Sequence, residues 1–173
     1  MTPAWLRGWL ETDVRQSARL RVAEKPGRLR RLAALLAHSG DSWYWFAALA
    51  LVWWLSGPGW KVFVVQLALG ILATAVVVVA IKFTVRRQRP EGQWGAFYRR
   101  TDPNSFPSGH AARMAMLAVA GFAFGHPWFG LALLLWAPLV ALARVAMGVH
   151  YISDVVGGIV IGLAVGLALG WVL

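Results

Sequence analysis

The sequence predicts an all-α fold: a polytopic membrane helix bundle of about five transmembrane helices, preceded by an N-terminal amphipathic interfacial segment. Three observations carry this. Of 173 residues, 59% are hydrophobic and only 14% charged, against about 45–50% and about 25% in soluble domains. Val62–Ile81 contains only Gln66 and Thr74 as polar residues, and Val155–Leu173 holds no charge at all; each run approaches the roughly 20 apolar residues that span a hydrocarbon core. The net charge of +10, from 17 Lys/Arg against 7 Asp/Glu, would suggest nucleic acid in a soluble chain. In this apolar chain it points to lipid headgroups and a positive cytoplasmic face, with no nucleic-acid partner. With no cysteine, disulfides, thiolate metal sites and cysteine nucleophiles are excluded.

Residues 1–40 form the interfacial segment. Arg7, Arg15, Arg19, Arg21, Lys25, Arg28, Arg30 and Arg31 supply eight of the 17 cations. Trp5, Leu6, Trp9 and Leu10 recur at helical spacing, as do Leu29, Leu32, Leu35 and Leu36, and Pro26-Gly27 divides the two stretches, so two short helices at headgroup depth are expected. The membrane-embedded domain occupies 41–173. Its first span covers Trp43–Leu55, extending at most to Trp60, and its clustered Trp and Tyr resemble an interfacial belt. The second covers Val62–Lys82, and residues 83–106 are a polar, basic loop. The third covers Pro107–Gly125; its Arg113 must face protein or water rather than lipid. The fourth, Trp128–Ala146, carries Pro138 and an expected kink. The fifth covers Asp154–Leu173. Its Gly158, Gly162, Gly166 and Gly170 form a small-residue stripe for close helix packing, inside the monomer or across a dimer seam.

The few strong polar residues near the span ends fall into three groups. Lys82 is followed by Arg89-Pro90. Pro107-Ser108-Gly109-His110 opens the third span. Arg144 ends the fourth span, and His150 and Asp154 straddle the start of the fifth. Counting crossings puts all of them on one membrane face. Lys82, Arg89 and Arg144 suit an oxyanion with several negative oxygens, such as phosphate. Ser108 and Gly109 sit where free N–H groups and the helix dipole favour an anion. His150 and Asp154 lie four apart; on a helix they share a face, and a carboxylate on one ring nitrogen leaves the other free to attack. His110 is available as acid and base. Asp102, Glu91 and Asp154 lack magnesium-ligand spacing, though folding could bring distant acids together. Together these residues describe phosphoryl transfer through a phosphohistidine, and no cofactor is expected.

The pattern Lys82-x6-Arg89-Pro90, Pro107-Ser108-Gly109-His110 and Arg144-x5-His150-x3-Asp154 resembles the three-part signature of the type 2 phosphatidic acid phosphatase superfamily. That superfamily includes lipid phosphate phosphatases, bacterial undecaprenyl-diphosphate phosphatases and vanadium haloperoxidases. The resemblance implies His150 as nucleophile oriented by Asp154. It implies His110 as the acid that protonates the leaving oxygen and then activates water. Lys82, Arg89, Ser108, Gly109 and Arg144 would hold the phosphate. It also implies metal-independent hydrolysis of a lipid or polyprenyl phosphomonoester or diphosphate. One departure stands out: Ala143 occupies the place where the third motif usually has serine, removing one phosphate hydrogen bond.

Arg86, Arg87, Arg99 and Arg100 read as headgroup or topology charges, and His38 and His126 as interfacial and structural. Because the N-terminal cations share a face with the motifs, the positive-inside rule puts the N-terminus and active site on the cytoplasmic side of the inner membrane. A cytoplasmic site favours biosynthetic intermediates, including prenyl-linked sugar phosphates. Two alternatives remain at this stage: a non-catalytic membrane protein that binds anionic lipids, and a lipid phosphotransferase using the same site. The oligomeric state is left open by the sequence.

Overall fold

The computed structural model describes residues 4–92, 94, 98 and 100–173. Among these residues seven helices are delimited: α1 (Ala4–Arg19), α2 (Arg28–His38), α3 (Ser42–Leu55), α4 (Pro58–Val85), α5 (Gly109–Ala123), α6 (Pro127–Ala146) and α7 (Ile152–Val172). The protein is all-α and polytopic. All five expected spans are helical, but only α4, α6 and α7 are long and apolar enough to cross a membrane by length and composition. At 1.5 Å per residue α3 and α5 reach only about 21 and 22 Å, short of the roughly 30 Å core.

α5 is central rather than lipid-facing. Ten of its 15 residues are buried, and it packs against α4, α6 and α7. The glycine stripe makes the α5–α7 approach possible. A Cβ at Gly158 would overlap the Ser108 carbonyl, one at Gly162 the Ala112 carbonyl, and one at Gly166 would lie 2.8 Å from the Val119 Cβ. The stripe is therefore used within the monomer. At the far end Gly121 and Gly130 let α5 and α6 touch backbone to backbone. Pro138 sits inside α6 without ending it.

The N-terminal segment contains the two expected helices, but their faces are divided by size. Leu29, Leu32 and Leu35 of α2 are exposed, as are Trp5 and Trp9 of α1, whereas Ala33 and Ala37 are buried against α6. Small residues allow close packing on the bundle, and the large apolar ones point outward, where a bilayer would receive them. α1 packs on α7, so both N-terminal helices lie at the end of the bundle where α4 ends and α5 and α7 begin.

Candidate active site

The chain leaves α4 through Arg86, the one described non-glycine residue with positive φ (48°). The left-handed cap ends the helix abruptly. The returning loop is tied back by the Ser105 N–H donating to the Arg87 carbonyl at 2.7 Å and by an isolated bridge between Gln88 and Asn104. This places Arg87 and Arg89, two residues apart, beneath the starts of α5 and α7.

A cavity of about 420 Å³ opens there. Six of the eight residues singled out in the sequence line it: Lys82, Arg89, Gly109, His110, Arg144 and His150. Ala75, Val78, Val79 and Phe83 of α4 supply an apolar wall, with Thr74 beside it. Ser108 and Asp154 are buried and stand outside the lining. The Ser108 N–H is already donated to the Asp154 carbonyl at 2.9 Å, so that expected anion donor is occupied. Its hydroxyl is buried without a partner.

His150 is not helical, which corrects the helical-face reading of its pairing with Asp154. Tyr151 is the N-cap of α7, and Asp154, at the third helical position, reaches back to accept the Tyr151 N–H at 2.8 Å. This capping box brings Asp154 Oδ2 to 3.5 Å from His150 Nδ1, beside the ring but beyond a hydrogen bond. On the other side of the ring Arg89 Nη1 lies 3.2 Å from Nε2. A guanidinium only donates, so Nε2 is the acceptor and carries a lone pair. Burial, reinforced by the charges of Arg89, Arg144 and Lys82, holds His150 well below the usual histidine range. The imidazole is therefore neutral, with its unprotonated nitrogen facing the cations.

Those cations are arranged around one space. Arg89 donates to the Val149 carbonyl at 2.8 Å and to the Asp102 carboxylate at 2.7 Å. Lys82 pairs with the same Asp102 oxygen and donates to the Asn104 carbonyl at 3.1 Å. Arg144 donates to the Tyr98 hydroxyl at 3.1 Å and lies over its ring, 4.7 Å from the centroid. An anion already bridges Lys82 and Arg89, which is what a phosphate oxygen would do in its place.

Several residues of the site escaped the sequence reading. Asp41, at the α2–α3 turn, lies 2.5 Å from His110 Nε2 and 2.9 Å from His38 Nδ1. Burial raises its pKa, but the hydrogen bonds from His110 and His38 outweigh burial and bring it to about 2. Arg87 is not a headgroup charge. It donates to Asp154 Oδ1 at 2.8 Å, to Asp13 Oδ2 at 2.7 Å and to the Ser153 hydroxyl at 2.5 Å, and it stacks on Tyr151 at 4.0 Å. Its principal partner, Asp13, is remote in sequence, so nothing near Arg87 signalled it. Asp13 also accepts the Ser153 N–H at 3.1 Å, and Ser17 accepts the Ile152 N–H at 2.9 Å. Helix α1 thus braces the start of α7 from behind. The one available signal was scarcity: an apolar chain with seven acids must give each acid a partner. Arg99 lies outside the described residues. Ala143 packs with Ala33, Ala37 and Met147 in the apolar cluster under α2.

Residues 63–173 match the PAP2 superfamily. The chain belongs to the PAP2 superfamily. It is 34% identical over 151 residues to the decaprenylphosphoryl-5-phosphoribose phosphatase of Mycobacterium tuberculosis, covering 86% of this chain and 82% of that protein. Its fold matches a transmembrane PAP2-type phosphatidylglycerolphosphate phosphatase from Bacillus subtilis, with a TM-score of 0.76 at 19% identity over 95% of this chain and 86% of that one. It also matches Aquifex aeolicus LpxE, with a TM-score of 0.66 at 24% identity over 88% and 92%. PAP2 membership and these relatives make the chain a membrane phosphatase that hydrolyses phosphoric esters.

Proposed function

We propose that this PAP2 protein removes the terminal phosphate of a prenyl-linked sugar phosphate through a phosphohistidine at His150, without a metal ion. The observation that carries the proposal is the lone pair of a buried, neutral His150 Nε2 turned toward three cations in a cavity with one apolar wall. The phosphate replaces Asp102 between Lys82 and Arg89 and extends to Arg144, while the first turn of α5 offers N–H groups beside Gly109. His150 Nε2 attacks phosphorus, and the phosphorus–oxygen bond to the sugar breaks. His110, protonated once the bound phosphate offsets the charge of Arg144, gives its proton to the departing alkoxide. His110 then takes a proton from water as the resulting hydroxide attacks phosphorus and releases His150. Protons balance over the two steps. Asp154 steadies the Nδ1 side of the ring as its charge rises.

The tail leaves along α4, where Ala75, Val78 and Val79 line the cavity. The substrate class follows the similarity to the mycobacterial enzyme, whose name specifies a phosphoribose carried on a decaprenyl phosphate. Phosphate release from a short-chain analogue, farnesylphosphoryl-5-phosphoribose, tests it. Purified protein should release phosphate in excess chelator; loss of activity with chelator, restored by a divalent cation, would contradict the metal-free reading.

We also place the N-terminus and the site at the cytoplasmic face of the inner membrane. Residues 1–40 form an interfacial segment there, supported by its eight cations and its outward Trp and Leu side chains. Single cysteines replacing exposed Gln16 and Glu91 should resist a membrane-impermeant thiol reagent in intact cells, whereas one replacing Gly57 at the opposite end should react. The reverse pattern would invert the topology.

A further inference from the structure

Arg113 has no part in the chemistry above. It lies three residues after His110 on α5, so it projects from the same face, about 4.5 Å further along the axis. α4 and α5 run antiparallel: Gly109 sits beside Val78, and Met116 beside Gly70. Arg113 is therefore level with the stretch around Thr74, deeper toward the middle of the bundle than His110. It is 9% exposed and lines the same cavity as His110, Arg144 and Thr74.

Its electrostatic situation differs from that of its neighbours. Lys82 and Arg89 share the Asp102 carboxylate, and Arg144 lies on Tyr98. Arg113 donates Nη1 to the Gly40 carbonyl, and its Nε is sealed from solvent without a partner. Among the described residues no carboxylate lies within ion-pair distance of it; the charge of Asp41 reaches it, but that carboxylate is already engaged by His110 and His38. A guanidinium buried at membrane depth is costly with only a shared counter-anion, and here it lines the cavity beside the apolar wall of α4. A substrate whose hydrocarbon begins directly after a single phosphate would lay carbon against this charge. One with an anionic group at that depth would neutralise it.

We propose that Arg113 is a second anion subsite that takes a phosphate on the tail side of the scissile one, so that preferred substrates carry two phosphates in series. The proposal rests on the phosphatase reading of the cavity and deepens it. The second phosphate is either directly joined, as in a prenyl diphosphate, or spaced by a sugar, as in a prenylphosphoryl sugar phosphate. Discrimination follows from the polar group left unmatched when the second phosphate is missing.

The test is phosphate release by the purified full chain from three substrates with one tail: farnesyl phosphate, farnesyl diphosphate and farnesylphosphoryl-5-phosphoribose. At least one two-phosphate substrate should exceed farnesyl phosphate in kcat/KM by about tenfold or more, and the better of the two identifies the spacing. Arg113→Met should collapse that ratio, and Arg113→Lys, which keeps the charge, should retain part of it. Wild-type values within about twofold for all three substrates would overturn the subsite and leave the phosphatase reading standing. So would an Arg113→Met loss equal on every substrate, which would assign Arg113 to pinning the Gly40 turn. Should Arg113→Met fail to fold, the wild-type ratio and Arg113→Lys decide. Absence of release from any substrate would instead overturn the phosphatase reading.

Discussion

The cavity holds two histidine–aspartate pairs built in opposite ways. His150 and Asp154 are four residues apart, joined by the cap of α7, and almost completely buried. His110 and Asp41 are 69 residues apart, join α5 to the α2–α3 turn, and both keep partial access to solvent. The first pair is braced from behind by Arg87 and Asp13. The second ends at His38, which is 41% exposed. The contrast matches the two roles proposed. A nucleophile must be neutral, fixed and dry. An acid and base must exchange protons and tolerate a changing charge.

The contrast can be broken at each carboxylate. Asp154→Asn should have the largest effect, lowering kcat by about 10²–10³-fold with little change in KM, because it acts on a ring already in place. Single-turnover kinetics would show slower formation of the intermediate; a fall confined to KM would place Asp154 in binding. Asp41→Asn should cost about 10–100-fold in kcat, the range for partners that orient a reacting group. It should shift the pH–rate profile, whereas Asp154→Asn should leave the limb assigned to His110 in place. Identical profiles for wild type and Asp41→Asn would remove Asp41 from proton transfer. Arg87→Met should lower kcat about tenfold by releasing Asp154, and Asp13→Asn should lower it by less, since Arg87 keeps its bond to Asp154. The reverse order would mean that α1 holds the site through Asp13 alone.

Stability against pH separates the pairs more gently. The folded pKa of His150 lies below its ordinary value of 6.5. As pH falls through 6.5 the unfolded chain binds a proton that the folded chain refuses, so stability declines with falling pH. His150→Gln should flatten that decline in a thermal melt in detergent. The folded pKa of Asp41 is lowered from 3.8 to about 2. Its contribution is complete above 3.8 and is lost only as pH falls toward 2, and Asp41→Asn should remove that acid limb. A decline below pH 6.5 that His150→Gln leaves unchanged in depth would contradict the buried, neutral ring.

The same contrast explains what could be read from the sequence. The helices were legible because apolar runs in a membrane protein have few alternatives to helix. His150 and Asp154 were legible because their spacing is local, although a helix cap, not a helical face, brings them together. Lys82, Arg89, Gly109, His110 and Arg144 were legible through crossing parity, which assigns span ends to a face without knowing the fold. Asp41, Asp13 and the role of Arg87 were not, since each depends on where α1 and α2 dock, and residues 1–40 offered composition but no pairing rule. The shortness of α5 was equally hidden, because hydropathy measures how apolar a segment is, not whether neighbours cover it; the length of α3 was legible, since its apolar run Trp43–Leu55 matches the observed helix.

Both histidine roles depend on a covalent bond forming between phosphorus and His150 Nε2. Rapid quenching with a substrate radiolabelled in its terminal phosphate tests it most directly. An acid-labile, alkali-stable label should appear on the peptide containing His150, formed and discharged at rates consistent with turnover and absent in His150→Ala, whose turnover falls by at least about 10³-fold. Label on a different residue, or phosphate release by His150→Ala near the wild-type rate, would contradict it.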